Sequence, residues 1–121
     1  MRYMLLIYNN PALYESWPEE ERQALFADVD AIMAELRQTG ELVDTAALAD
    51  PAVTRTVRVR EGAVTTTDGP YAETKEQFAG YLTVDCDTPE RAEEIAARWP
   101  DARYFAMEVR PVMYSSSGDE M

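Results

Sequence analysis

The stretch TTTDGPYAETKEQFAGYLTV, residues 65–84, decides the fold of this chain. At its centre, Asp68-Gly69-Pro70 predicts a sharp turn. An aspartate side chain bonds nearby backbone N–H groups, glycine accepts positive φ values, and proline restricts the residue before it. Residues 78–84 then have the apolar character of a core strand, with Gly80 inside it. A turn and a core strand are therefore adjacent in the sequence.

Ionisable and aromatic residues surround this turn, and we interpret them as a ligand-binding site. Asp68 is the candidate catalytic residue, because a carboxylate whose pKa is raised by burial can act as a general base. The alternative is structural: Asp68 caps the turn, the charged residues are solvated, and the tyrosines pack at an interface. The predicted site consists of Asp68, Gly69, Pro70, Tyr71, Glu73, Lys75, Glu76 and Tyr81.

The nine residues Asp68-Gly69-Pro70-Tyr71-Ala72-Glu73-Thr74-Lys75-Glu76 resemble the signature of the DGPF-domain proteins, within the YCII-related superfamily. That signature usually has Phe where this chain has Tyr71. The resemblance extends from Arg2-Tyr3-Met4-Leu5-Leu6 to Glu108-Val109-Arg110-Pro111, so it covers nearly the whole chain.

The resemblance implies a ferredoxin-like α+β fold that dimerises as an α+β barrel. It also implies a bacterial protein, because relatives are often encoded beside extracytoplasmic-function sigma factors. Some YCII-related members have a His/Asp pair proposed as catalytic. This chain has no histidine, so that pair is not carried over.

The composition narrows the classes of function that are open to the chain. Its 121 residues include 23 acidic and 11 basic side chains, and the net charge is −12. Such acidity disfavours binding to nucleic acids and to anionic membranes. With no histidine and a single cysteine, Cys86, we expect no metal, no cofactor and no disulfide. One cysteine and no signal peptide also predict a cytoplasmic protein.

Periodicity and turn residues predict one domain over residues 1–114, in the order β-α-β, hairpin, β-α-β, followed by a disordered tail at 115–121. We expect the first helix to start at Ser16, in a capping box with Glu19, and to stop at Gly40. The second helix starts at Thr88 and stops at Pro100. The predicted strands are residues 3–8, 41–48, 54–60, 63–67, 78–84 and 104–109.

The first predicted strand, residues 3–8, is apolar on both faces. Tyr3, Leu5 and Ile7 alternate with Met4, Leu6 and Tyr8. Right-handed crossovers place both helices on one face of the sheet, which leaves the other apolar face uncovered. We therefore expect a homodimer in which the helix-free face is buried.

Two functions remain open at this point. The first is a small-ligand-binding or regulatory dimer with a pocket near the Asp68-Gly69-Pro70 turn. The second is a cofactor-independent, isomerase- or oxygenase-like enzyme with Asp68 as acid or base. A weaker third alternative is an adaptor protein linked to an extracytoplasmic-function sigma factor. The arginines Arg55, Arg58 and Arg60 either bind an anionic ligand or offset the excess acid on an exposed hairpin.

Overall fold

The computed structural model describes residues 1–116, and these residues form an α+β fold. A short 3-10 turn at Pro51–Val53 precedes the hairpin. The helices and strands are β1 (Arg2–Asn9), α1 (Pro11–Glu15), α2 (Glu19–Thr39), β2 (Leu42–Ala47), β3 (Arg55–Arg60), β4 (Ala63–Asp68), β5 (Gln77–Asp85), α3 (Pro89–Arg98), α4 (Asp101–Tyr104) and β6 (Ala106–Pro111).

The main sheet is antiparallel and has the strand order β2-β5-β1-β6. The long helix α2 connects β1 to β2 with β5 between them, and α3 connects β5 to β6 with β1 between them. This arrangement of two split β-α-β units is compatible with a ferredoxin-like fold and confirms the predicted α+β class. Strands β3 and β4 form a separate two-stranded hairpin, as the alternation in residues 54–60 and the turn signal Glu61-Gly62 predict.

A β-bulge interrupts the pairing of the two central strands. Ile7 lies opposite Gly80, whereas Tyr8 lies opposite Phe78, so Ala79 is an extra residue in β5. The Tyr8 and Phe78 rings lie 5.8 Å apart, centre to centre. The bulge therefore places Phe78 on the sheet face that carries Tyr8.

The hydrophobic core lies between one face of the sheet and the two long helices. Tyr3, Leu5 and Ile7 of β1 are buried there because alternate strand residues point to the same side. Burying each such side chain contributes about 1.5–3 kcal/mol. The helices, β5 and the residues that directly follow β5 and α3 complete this core with Ile32, Met33, Leu36, Leu82, Val84, Cys86, Ala92, Ile95, Ala96 and Trp99.

The opposite face of the sheet carries the other row of β1 side chains, Met4, Leu6 and Tyr8, which are half-buried. On one side of this row β5 adds Tyr81 and Thr83, and on the other side β6 adds Glu108 and Arg110, because they pair with Leu6 and Met4. The open face therefore has an apolar row on β1 with polar and charged side chains on both sides. The core helices α2 and α3 lie on the other side of the sheet.

The structure shows that the predicted helix start at Ser16 is wrong. The Ser16 hydroxyl donates a hydrogen bond to the Leu13 carbonyl, so Ser16 ends the short helix α1. Asn10 caps α1 by accepting the Ala12 N–H at 3.1 Å. Helix α2 begins only after Pro18, without a side-chain cap. Two successive cap-and-proline patterns compete here, and the sequence analysis identified only the second.

The other predicted helix ends agree better with the structure. Gly40 ends α2 in the left-handed conformation, with φ of 81°. Thr88 caps α3 by accepting the Arg91 N–H at 3.1 Å. Pro100 follows the end of α3, but a proline is also tolerated where a helix begins, and α4 starts directly after it.

The predicted start of the last strand at Tyr104 is therefore wrong. Tyr104 ends α4, where the Phe105 N–H donates to the Asp101 carbonyl at 2.8 Å, and β6 begins at Ala106. Of the predicted disordered tail, Ser115 and Ser116 are described and border a depression on the open face. Residues 117–121 lie outside the described residues.

Gly80 provides a test of the packing between β2 and β5. A Cβ atom on Gly80 would lie 2.5 Å from the Ala46 carbonyl oxygen, which is backbone and cannot turn away. Gly80→Ala should therefore lower the free energy of unfolding by about 1–3 kcal/mol. Urea unfolding measures this change.

The control is Gly62→Asn in the hairpin turn, where nothing lies within 4 Å of the added Cβ and asparagine tolerates the left-handed conformation. This control should stay within about 0.5 kcal/mol of the parent chain. Equal stability of the Gly80→Ala chain and the control would contradict the close approach of the two strands.

Candidate functional site

Backbone and hydroxyl contacts fasten the predicted turn after β4. Gly69 takes a φ of 94°, and its N–H donates to the Thr54 carbonyl at 2.7 Å. The Thr56 hydroxyl donates to the Gly69 carbonyl at 2.8 Å. Glycine is required because an L side chain is strained at this φ. The turn is thus tied to the start of the hairpin on both sides of Gly69.

The Asp68 carboxylate points into solvent. Its side chain is 87% exposed and lies 3.7 Å from the Arg55 Nε, on a strand position paired with Arg55. Arg58 contacts Tyr71 instead, with its guanidinium 5.0 Å from the ring centre, and Tyr71 is itself 77% exposed. Exposed contacts of this kind contribute little stability.

The structure brings some of the predicted site residues together and separates others. Pro70, Glu73 and Lys75 line a depression of about 340 Å³, opposite α1 and the Pro51–Val53 turn. Glu76, which follows Lys75 in the sequence, is exposed to solvent and does not line this depression. Tyr81 lies instead on the open sheet face. There its hydroxyl donates to the Asp44 carboxylate at 3.2 Å, and the charge of Asp44 raises the pKa of Tyr81.

A second cavity, of about 310 Å³, was not identified by the sequence analysis. It lies at the end of the sheet where α1, α2 and α4 meet, and we call it the Asp101 cavity. Its walls are mostly apolar, which suits the body of a small organic ligand. It is lined by Ile7, Asn9, Tyr14, Arg22, Leu25, Phe26, Val29, Ala47, Ala79, Trp99 and Asp101.

Asp101 is a buried acidic residue in this cavity, with 6% of its surface exposed. Its Oδ1 accepts hydrogen bonds from the Tyr14 hydroxyl and from the Asn9 amide, the latter at 3.3 Å. Burial, and then the hydrogen bond and charge of Asp101, raise the pKa of Tyr14 far above its ordinary value. The Tyr14 hydroxyl therefore remains protonated and donates to Asp101.

Aromatic neighbours hold the Tyr14 ring in place. Trp17 and Phe105 make edge-to-face contacts with it at 5.1 and 5.7 Å, and Tyr104 does so at 6.4 Å. Such contacts favour a single ring orientation. The contacts of the ring thus hold the Tyr14–Asp101 pair in one arrangement.

Arg22 of α2 supplies the positive charge in the cavity wall. Its side chain is half-buried, and its Nε is covered by protein without a hydrogen-bond partner in the described chain. A covered N–H group without a partner costs about 1–3 kcal/mol. A ligand acceptor that reaches the guanidinium would offset this cost.

The Asp101 cavity and the depression beside the turn belong to one groove. A third depression, of about 360 Å³, shares Tyr14, Arg22 and Ala47 with the cavity and shares Glu15 and Asp50 with the depression near Pro70. The groove therefore has an inner end at Asp101 and an outer end at the residues that follow the turn. In the sequence, the only pointer to this cavity was Asp101 between Pro100 and Ala102. A single acidic residue at the start of a helix is usually exposed to solvent, so its burial could not be read from the sequence.

Within residues 1–116, no three His, Cys, Asp or Glu side chains are grouped so that they could hold a metal ion. No helix in the same part of the chain has the length and apolar character that crossing a membrane requires.

Comparison with known proteins gives a family but no activity. The family model for the YCII-related domain matches residues 1–116. An uncharacterised protein of Rhizobium meliloti (strain 1021) is 31% identical over 121 residues, and the match covers 98% of each chain. The predicted family is confirmed.

Tyr14→Phe tests whether the hydroxyl contact to Asp101 holds the inner end together. The variant keeps the ring contacts but removes a donor from a buried carboxylate, so the free energy of unfolding should fall by about 1–3 kcal/mol. Urea unfolding at pH 7 gives this value.

Tyr104→Phe is the matched control, because Tyr104 belongs to the same ring cluster, is 46% exposed and makes no hydroxyl hydrogen bond within residues 1–116. Its stability should equal that of the parent chain. Equal losses in both variants would show that the Tyr14 hydroxyl has no special role.

Proposed function

This chain belongs to the YCII-related family, and we propose that it is a homodimer that binds a small ligand in the groove between Asp101 and the Asp68-Gly69-Pro70 turn. The observation that carries the proposal is the inner end of the groove. It combines apolar walls with a few convergent polar groups, which is the usual composition of a ligand pocket.

The residues of the predicted site have a place in this proposal at the outer end of the groove. Pro70, Glu73 and Lys75 line that end and bring both charge signs to its rim. The loop that carries them is fastened to the hairpin through Gly69. We propose that this loop contacts the part of the ligand that projects from the cavity.

Binding without chemistry is the function that we favour over catalysis. In the enzyme alternative Asp68 acts as acid or base, and that role needs a carboxylate shielded from solvent. The Asp68 carboxylate is exposed beside Arg55 and lines none of the three depressions of the groove, so its surroundings do not favour an acid–base role. The buried carboxylate of the groove, Asp101, is already engaged by Tyr14 and Asn9.

The proposed homodimer rests on the open face of the sheet. Met4, Leu6 and Tyr8 form an apolar row at its centre, and Phe78 beside them is 39% exposed. A second copy that packs its own open face there would bury these side chains and form a barrel of two sheets. A stable interface of this kind buries more than about 1,200 Å² in total.

A thermal-shift screen of small metabolites tests the ligand proposal. A ligand present at 100 times its dissociation constant stabilises the folded chain by about 2.7 kcal/mol, so hits should raise the melting temperature by several degrees. Ala47→Phe should abolish these shifts, because Ala47 lines both the Asp101 cavity and the adjoining depression.

Thr65→Phe on the hairpin is the control for this screen, since it adds the same ring to an exposed strand residue that lines none of the three depressions of the groove. Its hits should match those of the parent chain. A screen without hits, or hits that survive Ala47→Phe, would refute the groove as a ligand site.

The dimer proposal is checked by light scattering at micromolar concentration. The parent chain should have the mass of two copies, and Leu6→Glu should have the mass of one, because it puts a charge in the centre of the open face. Gln23→Glu adds the same charge to the exposed surface of α2 and should remain dimeric. A monomeric parent chain would contradict the proposal.

A further inference from the structure

The arginines of the described chain differ in what balances their charge. Acidic partners lie beside Arg55, Arg91, Arg98 and Arg103, and Arg58 lies over the Tyr71 ring. Arg22, like Arg37, Arg60 and Arg110, has no ion pair within residues 1–116, although the whole chain carries 23 acidic residues. Of these four arginines, Arg22 is the one that lines the Asp101 cavity. An acidic chain that leaves one guanidinium unpaired in the wall of a cavity has a free site for an anion there.

Asp101, the acidic residue in the lining of the Asp101 cavity, does not neutralise the charge of Arg22. Asp101 accepts hydrogen bonds from Tyr14 and Asn9 and makes no ion pair with Arg22. The Tyr14 O–H is in turn committed to Asp101. Of these polar groups, the guanidinium is therefore the one with donors to spare for a ligand.

We propose that the ligand of the groove is a small organic carboxylate whose carboxylate binds Arg22 and whose apolar body packs against Leu25, Phe26 and Val29. This inference rests on the proposed function of the groove as a ligand site. A planar carboxylate fits the arginine fork through two parallel N–H···O bonds. The Nε–H is covered in the free chain, so the side chain turns slightly as the ligand binds.

The charges and size of the cavity favour a monocarboxylate over a phosphate ester. A phosphate dianion would face a single guanidinium and the buried Asp101 carboxylate, which repels it. A volume of about 310 Å³ lies at the lower end of the range for ligand pockets, so the body is small. The wall residues require that this body be apolar, since its burial supplies most of the affinity.

Isothermal titration of the full chain with two matched pairs of probes tests the inference. The pairs are phenylacetate with phenylacetamide and hexanoate with hexanamide, each differing only in the charge of the head group. At least one acid should bind about tenfold or more tightly than its amide at pH 7.

Substitutions identify the residue responsible for the preference. Arg22→Met keeps much of the side-chain length without the charge and should bring the acid and its amide to equal affinity. Arg22→Lys keeps the positive charge but lacks the planar, two-donor guanidinium, and it should retain part of the preference for the acid. This variant also provides the test if Arg22→Met folds poorly. Arg37→Met removes the same charge from the last turn of α2 and should keep the full preference.

Each outcome decides between the two proposals. Equal binding of acid and amide, with both abolished by Ala47→Phe, would overturn the carboxylate class and leave the groove as a ligand site. The same holds if neither acid binds while uncharged compounds from the wider screen do. A preference that survives Arg22→Met would also overturn the inference. If no compound in the screen binds the chain, the result would contradict the proposed function of the groove as a ligand site.

Discussion

One face of the central strand β1 is the constraint on which the rest of the structure depends. Its residues Tyr3, Leu5 and Ile7 are buried beneath α2 and α3, while its backbone pairs with β5 and β6 on either side. A shift of this strand by one residue would move the whole row to the other face. The same row ends at Ile7 in the wall of the Asp101 cavity, so core and groove share one strand.

Two aspartates show how environment decides what a carboxylate can do. Asp68 is exposed beside an exposed arginine, and water screens that pair. Asp101 is buried, where an unpaired charge is costly and each hydrogen bond counts for more. Asp101 follows Pro100 and lies next to the aromatic rings around Tyr14, and its carboxylate accepts the hydrogen bond of the Tyr14 hydroxyl. The chemistry of the groove is therefore set by packing more than by the number of charged residues.

The sequence predicted the elements whose signals are local and unopposed. The alternation of residues 54–60 and the turn signal Glu61-Gly62 predicted the hairpin, Gly40 predicted the end of α2, and Thr88 predicted the start of α3. Ser16 misled because its hydroxyl can cap a following helix or end a preceding one. The start of the last strand was placed at Tyr104 because aromatic residues are common in strands, although Tyr104 ends α4. Only the contacts of the folded chain distinguish these alternatives.

The site was harder to predict than the fold because its members are far apart in the sequence. Asn9, Tyr14 and Arg22 come from the first β-α unit, and Asp101 comes from the last. No spacing rule connects them, whereas the charged residues after Asp68 are consecutive and attract attention. The family match does not help either, because it covers residues 1–116 as a unit and names no residue.

The bulge between the two central strands has a consequence for the empty space in the molecule. If the same residues paired without a bulge, strict alternation after Gly80 would place Ala79 opposite Tyr8 and turn the Phe78 side chain toward the helices. The bulge changes the phase of β5, so the methyl group of Ala79 lines the cavity and the Phe78 ring lies beside Tyr8. The bulge thus keeps an aromatic ring out of a space that it would otherwise fill. The same sequence paired in strict alternation would exchange an open cavity for a solid core.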